Sequence, residues 1–336
     1  MSRVPLLSRR AVLGSLLAVP VAGCWGGESL TGALGSATGS PLARRPTLLV
    51  ATTRRPVGDP PQSPWFSGER GKGLTFAKAT LTPPDRSLVG RVSSVVSGDW
   101  AVTEVGDVAE GEGAARAFAE AAFGQDTLLY IHGYRESFET AALSAAVLSD
   151  AIGFRGATAL FTWPSAASTF SYVGDRESAM WSRDALEDLL LALANSPSGG
   201  RVHIVAHSMG TLLTLETLRL LRADRGEGPI SRIGAIVLAA PDIDIDVFTR
   251  GIERLGPDAR KITVISSTRD RALAVSSRLA GGVVRAGAAD RERLEKLGVR
   301  VADASEFGGG LINHDVFLTD PEVQQVVKRA IERERA

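Results

Sequence analysis

Residues 202–210 read VHIVAHSMG, and they lead directly into TLLTLETLRLLR at residues 211–222. The first segment begins with a mostly apolar run, which is typical of a strand buried on both faces. The second carries leucines at helical spacing, which predicts an amphipathic helix. Ser208 therefore lies at a turn between a strand and a helix, with the small residues Ala206 and Gly210 two positions away on either side.

This pattern matches the nucleophile elbow, G-x-S-x-G, with Ala206 in place of the first glycine. The turn is so sharp that a larger side chain two positions from the serine would clash with neighbouring backbone. The helix N-terminus beneath Ser208 also directs amide groups toward any oxyanion that develops there. We therefore predict that Ser208 is a nucleophile; the alternative is an ordinary strand-to-helix turn that carries a serine.

Composition excludes several classes of protein. The 336 residues include 38 Lys plus Arg and 38 Asp plus Glu, so the formal charge is zero, which argues against a globally basic nucleic-acid binder. One cysteine and four histidines exclude a disulfide framework and leave little room for a structural zinc site. We expect a globular protein that binds no nucleic acid and needs no metal or organic cofactor, and the sequence indicates no stable protein partner.

The N-terminus has the features of an export signal. Residues 8–13, SRRAVL, resemble a twin-arginine signal, and the apolar run at 11–23 is too short to span a bilayer comfortably. Residues 21–24, VAGC, resemble a bacterial lipobox, in which the cysteine is lipidated and becomes the mature N-terminus. We predict a signal peptide over residues 1–23 and lipidation of Cys24; the alternative is an ordinary signal peptide with a chance cysteine.

These features predict an exported lipoprotein, anchored to a membrane of the bacterial cell envelope on its periplasmic or extracytoplasmic face. Residues 24–44 are rich in Gly, Ser, Ala and Thr, which is typical of a flexible tether. We expect a single α/β domain over residues 45–336. Its N-terminal extension, residues 53–100, is rich in Pro and Gly and shows no clear period, so we expect it to be irregular.

The domain alternates β-branched apolar runs with helical patterns, which predicts a mainly parallel central sheet with helices on both faces. The predicted strands are 47–52, 127–131, 157–162, 202–206, 233–239, 262–266 and 299–302. The predicted helices are 139–152, 176–194, 211–222, 246–255 and 321–335.

A second motif, LLYIHGY at residues 128–134, is a hydrophobic strand that ends in His-Gly-aromatic. Together with the serine turn, it resembles the α/β-hydrolase superfamily and implies that fold. Further segments resemble an uncharacterised bacterial group within the superfamily, described as esterase/lipase-like: ATTR at 51–54, FTWPS at 161–165 and AAPDID at 239–244. The resemblance covers most of residues 46–320. It implies an oxyanion hole formed by the backbone amides of Tyr134 and Met209.

The candidate base follows from the four histidines. His132 is tied to the oxyanion loop, and His203 lies within a buried strand. His207 directly precedes Ser208, so its side chain cannot turn back on the serine. This leaves His314, in a glycine-rich loop after the last predicted strand, where it obeys the chain order serine, acid, histidine. The alternative is a surface histidine.

Two aspartates compete for the role of the acid. Asp270 follows the strand two after the serine turn, where this superfamily commonly carries its acid. Asp242, at the end of the intervening strand, is the alternative. We favour Asp270 because of strand order, and a buried carboxylate there would orient the imidazole.

Aromatic residues follow the predicted strand 157–162 at the carboxyl edge of the sheet, where this fold builds its pocket. Trp163, Phe170 and Tyr172, together with His132, are candidates to line a substrate pocket, although the aromatic residues could equally belong to the core. No long apolar insertion resembles a lipase lid.

Taken together, the motifs predict a serine hydrolase that acts on carboxylic esters through a Ser-His-Asp triad and an acyl-enzyme. The expected substrate is a small-molecule ester or a lipid-like ester. Two alternatives remain. The same triad could transfer an acyl group to a cell-envelope acceptor, or the chain could be a non-catalytic binding lipoprotein on a hydrolase scaffold.

Overall fold

A computed structural model describes residues 46–83, 100–168, 170–197, 199–279, 281–307 and 314–335. The predicted signal peptide, Cys24 and the predicted tether lie outside these residues. Within the described ranges, no helix is both long enough and apolar enough to span a bilayer.

The centre of the molecule is a nine-stranded sheet with the order β3-β2-β1-β5-β4-β6-β7-β8-β9. Its strands are β1 Thr47–Pro56, β2 Phe66–Thr82, β3 Ala101–Glu110, β4 Thr127–Ile131, β5 Ala157–Thr162, β6 Val202–His207, β7 Ile233–Ala239, β8 Ile262–Ser266 and β9 Arg300–Asp303. The seven strands β1, β5, β4, β6, β7, β8 and β9 are neighbours in this order, and each pair of them is parallel. Strand β2 pairs with β1, and β3 pairs with β2, in the antiparallel sense.

The helices cover both faces of this sheet. They are α1 Glu112–Glu120, α2 Phe138–Ala151, α3 Tyr172–Trp181, α4 Arg183–Asn195, α5 Met209–Arg225, α6 Glu227–Ser231, α7 Ile245–Leu255, α8 Arg271–Leu279, α9 Arg291–Glu295, α10 Val316–Thr319 and α11 Pro321–Arg335. One apolar core packs α4, α5 and α7 on the sheet, and the other packs α2 and α11 on the opposite face. The mainly parallel α/β class predicted from the sequence is therefore confirmed.

The predicted irregular extension, residues 53–100, differs from the structure. Much of it forms β2, which pairs with β1 and β3 near one edge of the sheet. The first half of β2, with the sequence FSGERGKG at 66–73, is mostly exposed or half-buried. A strand with so little burial needs no apolar alternation, so its sequence carries no period to detect.

The register of the central strands brings their carboxyl ends to one edge. Ile131 pairs with Ala206, His207 pairs with Ala239, and Ala239 pairs with Ile265. The segments that follow β4, β6, β7 and β8 therefore leave the sheet side by side. All the candidate catalytic side chains except that of His314 come from these four segments.

Candidate active site

Ser208 occupies a strained turn between β6 and α5. Its backbone angles are φ 49° and ψ −120°, a conformation that residues other than glycine rarely adopt. Its N–H donates a hydrogen bond to the carbonyl oxygen of Ala239 at 2.9 Å. A Cβ at Gly210 would overlap the carbonyl oxygen of His132, so the turn requires glycine there.

The loop after β4 packs directly against this turn. A Cβ at Gly133 would lie 2.9 Å from the Cβ of Ser208 and 2.9 Å from Nδ1 of His207, closer than packed side chains approach. Only glycine allows the two segments to meet. The contact brings the loop that carries Tyr134 against the turn that carries Met209, the two residues predicted to supply oxyanion amides.

His314 is joined to Asp270, as the strand order predicts. The distance from His314 Nδ1 to Asp270 Oδ2 is 2.7 Å, and the carboxylate is fully buried. The other carboxylate oxygen of Asp270 accepts the N–H of Leu273 at 3.0 Å, in the first turn of α8. Because both oxygens are held, Asp270 fixes the imidazole orientation and leaves Nε2 of His314 as the nitrogen available to exchange a proton.

Ser208 and His314 line one cavity of about 400 Å³, within the usual size range of small-molecule sites. Its apolar lining comes mainly from two tyrosines and α8: Tyr134, Tyr172, Ala272, Leu273, Val275 and Leu279. A larger groove of about 970 Å³ is lined by β2, α1 and α4. Its lining includes none of the predicted site residues, so the smaller cavity is the candidate active site.

The pKa of His314 lies above its ordinary value of 6.5. Burial acts to lower this pKa, but the hydrogen bond and charge of Asp270 raise it, and Asp315 and Asp242 add to the effect. An imidazole in this environment is suited to take up a proton during a reaction and to hold it briefly.

His207 is the neutral neighbour of His314. Burial, together with the nearby charge of His314, lowers the pKa of His207 to about 4. Its ring centroid lies 4.7 Å from that of His314 and 4.8 Å from that of Phe317. His207 therefore acts as an uncharged packing surface for His314 near neutral pH.

Of the four residues predicted to line the pocket, only Tyr172 does so. His132 and Trp163 are fully buried at the ends of β4 and β5, with their rings stacked at 4.8 Å. Nε2 of His132 accepts the N–H of Trp163 at 3.1 Å, and its Nδ1 donates to the carbonyl oxygen of Gly133 at 2.8 Å. Phe170 lies outside the cavity lining and is 97% exposed. Residue type alone did not distinguish the core, the pocket and the surface.

Asp242, the alternative acid, is engaged elsewhere. It forms an ion pair with Arg285, with 3.1 Å between Nε and Oδ1, and accepts a hydrogen bond from the hydroxyl of Tyr172 at 2.8 Å. The hydroxyl of Ser276 also donates to it. Asp242 thus belongs to a polar network within the cavity wall, whereas Asp270 contacts the histidine.

Arg54 supports the loop after β4, and in the sequence it stands out only as part of the ATTR segment at 51–54. It is 1% exposed, and its guanidinium donates to Thr162 Oγ1 at 2.8 Å, to the Ser165 carbonyl oxygen at 3.1 Å and to the Glu136 carbonyl oxygen at 2.7 Å. Burial lowers its pKa to about 10, so it stays charged at neutral pH. These bonds tie the end of β1 to the end of β5 and to the loop after β4.

The sequence was compared with known protein families and structures. A family described as alpha/beta hydrolase of unknown function (DUF900) matches residues 115–333. No curated protein matches the chain in sequence.

Similar solved structures have low sequence identity. An esterase from Pyrobaculum calidifontis is 14% identical, with 88% of each chain covered and a TM-score of 0.40. The catalytic core of an acetyl xylan esterase from Trichoderma reesei is 14% identical, covering 63% of this chain and 99% of that one, with a TM-score of 0.38. The family match and the sheet together confirm the α/β-hydrolase fold.

We predict that Arg54→Met lowers the free energy of unfolding by about 2–4 kcal/mol, because the buried carbonyl oxygen of Ser165 and the partly buried one of Glu136 lose their donors. The exposed neighbour Arg55 provides the matched control, and Arg55→Met should change stability by no more than about 0.5 kcal/mol. Denaturant unfolding measures both values. Equal effects of the two substitutions would show that Arg54 does not anchor the loop.

We also predict that Asp270→Asn lowers the pKa of His314 to below 6.5, because burial then acts without the charge of Asp270. Asp242→Asn should lower this pKa by a smaller amount. Histidine NMR titrations of the full chain, assigned with His314→Ala, measure the shifts. A larger shift for Asp242→Asn would identify Asp242 as the dominant carboxylate.

Proposed function

We propose that this chain, which belongs to a family of alpha/beta hydrolases of unknown function (DUF900), is a serine hydrolase that acts on carboxylic esters. The observation that supports this most directly is the 2.7 Å hydrogen bond between His314 and Asp270, in a cavity that Ser208 also lines. The strained backbone at Ser208 adds support, because such strain concentrates at reactive residues.

In this proposal, the hydroxyl oxygen of Ser208 attacks the ester carbonyl while Nε2 of His314 takes its proton. The backbone amides of Tyr134 and Met209 hold the negatively charged oxygen of the tetrahedral intermediate. His314 then gives the proton to the leaving alcohol, and an acyl-enzyme remains on Ser208. Water, deprotonated by His314, attacks this acyl-enzyme. As the carbon–oxygen bond to Ser208 breaks and the acid leaves, His314 returns that proton to the serine oxygen.

Asp270 has a positioning role in this scheme. Its hydrogen bond keeps the proton on Nδ1 of His314, so that Nε2 faces the reaction, and its charge stabilises the imidazolium that forms in each half of the cycle. Asp242 is assigned to the cavity wall, where it holds Tyr172 in place.

The substrate we propose is a small-molecule or lipid-like ester. The cavity of about 400 Å³ accommodates one acyl or alcohol group, and most of its exposed lining is carbon. Tyr134 and Tyr172, whose rings meet edge to face at 5.4 Å, form part of this lining.

We further propose that the protein is exported and anchored to a membrane through Cys24. The support is the sequence alone: the SRRAVL segment at 8–13 and the VAGC segment at 21–24. An acylated cysteine would provide the anchor, since each buried methylene contributes about 0.8 kcal/mol.

Lipidation predicts that Cys24→Ala moves the protein from the membrane fraction to the soluble fraction, because the anchor is lost. Fractionation of cells that express the full chain measures this distribution. A variant with Arg9→Lys and Arg10→Lys serves as the comparison, since it should block export while Cys24 stays intact. If Cys24→Ala remains in the membrane fraction to the same extent as the wild type, lipidation is excluded as the anchor.

For catalysis, we expect a fluorophosphonate probe to label the wild type and not Ser208→Ala, since the probe reacts with activated serines. His314→Ala should slow labelling at least about a thousandfold, and Asp270→Asn about 10²- to 10⁴-fold. Asp242→Asn should slow it less, and Ser231→Ala, an exposed serine on α6, should label like the wild type. A folded wild type that does not label would refute the serine-hydrolase proposal.

A further inference from the structure

Several exposed large apolar side chains belong to the two segments that carry Tyr172 and α8, both of which line the candidate active site. The described residues include nine exposed large hydrophobic side chains. Two of them, Val275 at 54% and Leu279 at 65% exposure, line this cavity, and two more, Phe170 at 97% and Val173 at 73%, lie within two residues of Tyr172, which also lines it. We name these four the apolar rim. Single exposed apolar residues need no explanation, but a cluster beside a cavity marks a contact surface.

One polar contact joins the two segments that carry the apolar rim. Phe170 and Val173 flank Tyr172 in the chain, and Val275 and Leu279 flank Ser276. The hydroxyl groups of Tyr172 and Ser276 lie 2.9 Å apart. Val275 and Leu279 also line the cavity that holds Ser208. The rim is therefore continuous with the proposed catalytic site.

Helix α8 adds positive charge to the same surface. Arg271, Val275, Arg278 and Leu279 stand at positions i, i+4, i+7 and i+8, which share one face of a helix. All four side chains are exposed, whereas Leu273 and Ser276, on the other face, are buried.

This face carries no opposing charge of its own. The sequence of α8, RALAVSSRL, contains no acidic residue. The acidic side chains that line the cavity, Glu136, Asp242 and Asp315, come from other segments. A helix face that combines exposed apolar side chains with arginines is suited to an anionic lipid surface: the apolar groups enter the acyl region and the arginines meet the headgroups.

We propose that the apolar rim, with Arg271 and Arg278, docks the mouth of the cavity on an anionic lipid bilayer, and that the ester substrate enters from that bilayer. The substrate part rests on the proposed hydrolase function and narrows it to esters of membrane-embedded lipids. The docking does not require a lid insertion, because the rim is already exposed.

The single cysteine of the chain allows a direct test in the full-length protein. Cys24→Ser removes the native thiol, and Phe170→Cys then introduces a single cysteine at the rim. An environment-sensitive dye is attached to this cysteine. Phe123→Cys is the matched control, because Phe123 is 71% exposed and lies outside the cavity lining. Vesicles of phosphatidylglycerol with phosphatidylcholine are compared with vesicles of phosphatidylcholine alone.

We expect the dye at position 170 to shift its emission to shorter wavelengths with the anionic vesicles, and the dye at position 123 to stay unchanged. Arg278→Glu should reduce the shift at least about twofold, since it reverses one headgroup contact. The dye reports insertion at its own position. If another part of the chain held the protein on the vesicle, the emission of the dye would change alike at positions 170 and 123. Three outcomes would overturn the proposal. The emission could shift equally at the two positions, it could stay unchanged at position 170, or it could shift equally with vesicles of phosphatidylcholine alone.

Turnover tests the substrate part separately. The double variant Phe170→Ser/Val173→Ser should hydrolyse a long-chain ester embedded in anionic vesicles at least about tenfold more slowly than the wild type. It should hydrolyse soluble p-nitrophenyl acetate like the wild type, and Phe123→Ser should match the wild type on both. Unchanged turnover of the embedded ester would refute the substrate inference while the hydrolase proposal stands. If the wild type hydrolyses neither ester, the hydrolase proposal and the substrate inference fall together, and the dye still decides the docking surface.

Discussion

The turn at Ser208 depends on a close approach of three backbone segments. A serine held at φ 49° costs on the order of 1–3 kcal/mol, so the surrounding structure must stabilise that conformation. Gly210 admits the carbonyl of His132, and Gly133 admits the serine side chain. With a larger residue at either glycine, the serine turn and the loop after β4 would move apart, and the two amides proposed for the oxyanion hole would separate.

A buried polar layer holds that loop from behind. His132 bonds through both ring nitrogens, and burial keeps it neutral by lowering its pKa. Arg54 donates to carbonyl and hydroxyl groups at the end of β5 and in the loop after β4. On the other side, the carboxylate of Asp175 accepts the N–H of Ala166 at 2.9 Å and that of Arg135 at 3.4 Å. Buried groups that are bonded in this way resist displacement, since each broken bond would leave an unsatisfied polar atom.

The central strands could be predicted from the sequence because they are buried on both faces and therefore consist of near-continuous apolar runs. Strand β2 could not be predicted, because an outer strand with half-exposed residues carries no such signal. The aromatic residues after β5 were equally ambiguous. Trp163 and Phe170 are both large and apolar, yet one is fully buried and the other almost fully exposed.

The sequence by itself determined the local features: the serine turn, the His-Gly loop, and His314 as the candidate base among the four histidines. The two turns depend on residues that are neighbours in the sequence, and the choice of His314 depends on the number and positions of the histidines. All of this can be read from the sequence without the fold. Only the tertiary structure decided which aspartate contacts His314, since Asp270 lies 44 residues before it and the contact depends on how the strands are ordered. The tertiary structure also decided which side chains surround the cavity, because Tyr134, Tyr172 and the lining residues of α8 come from segments that are brought together by folding alone.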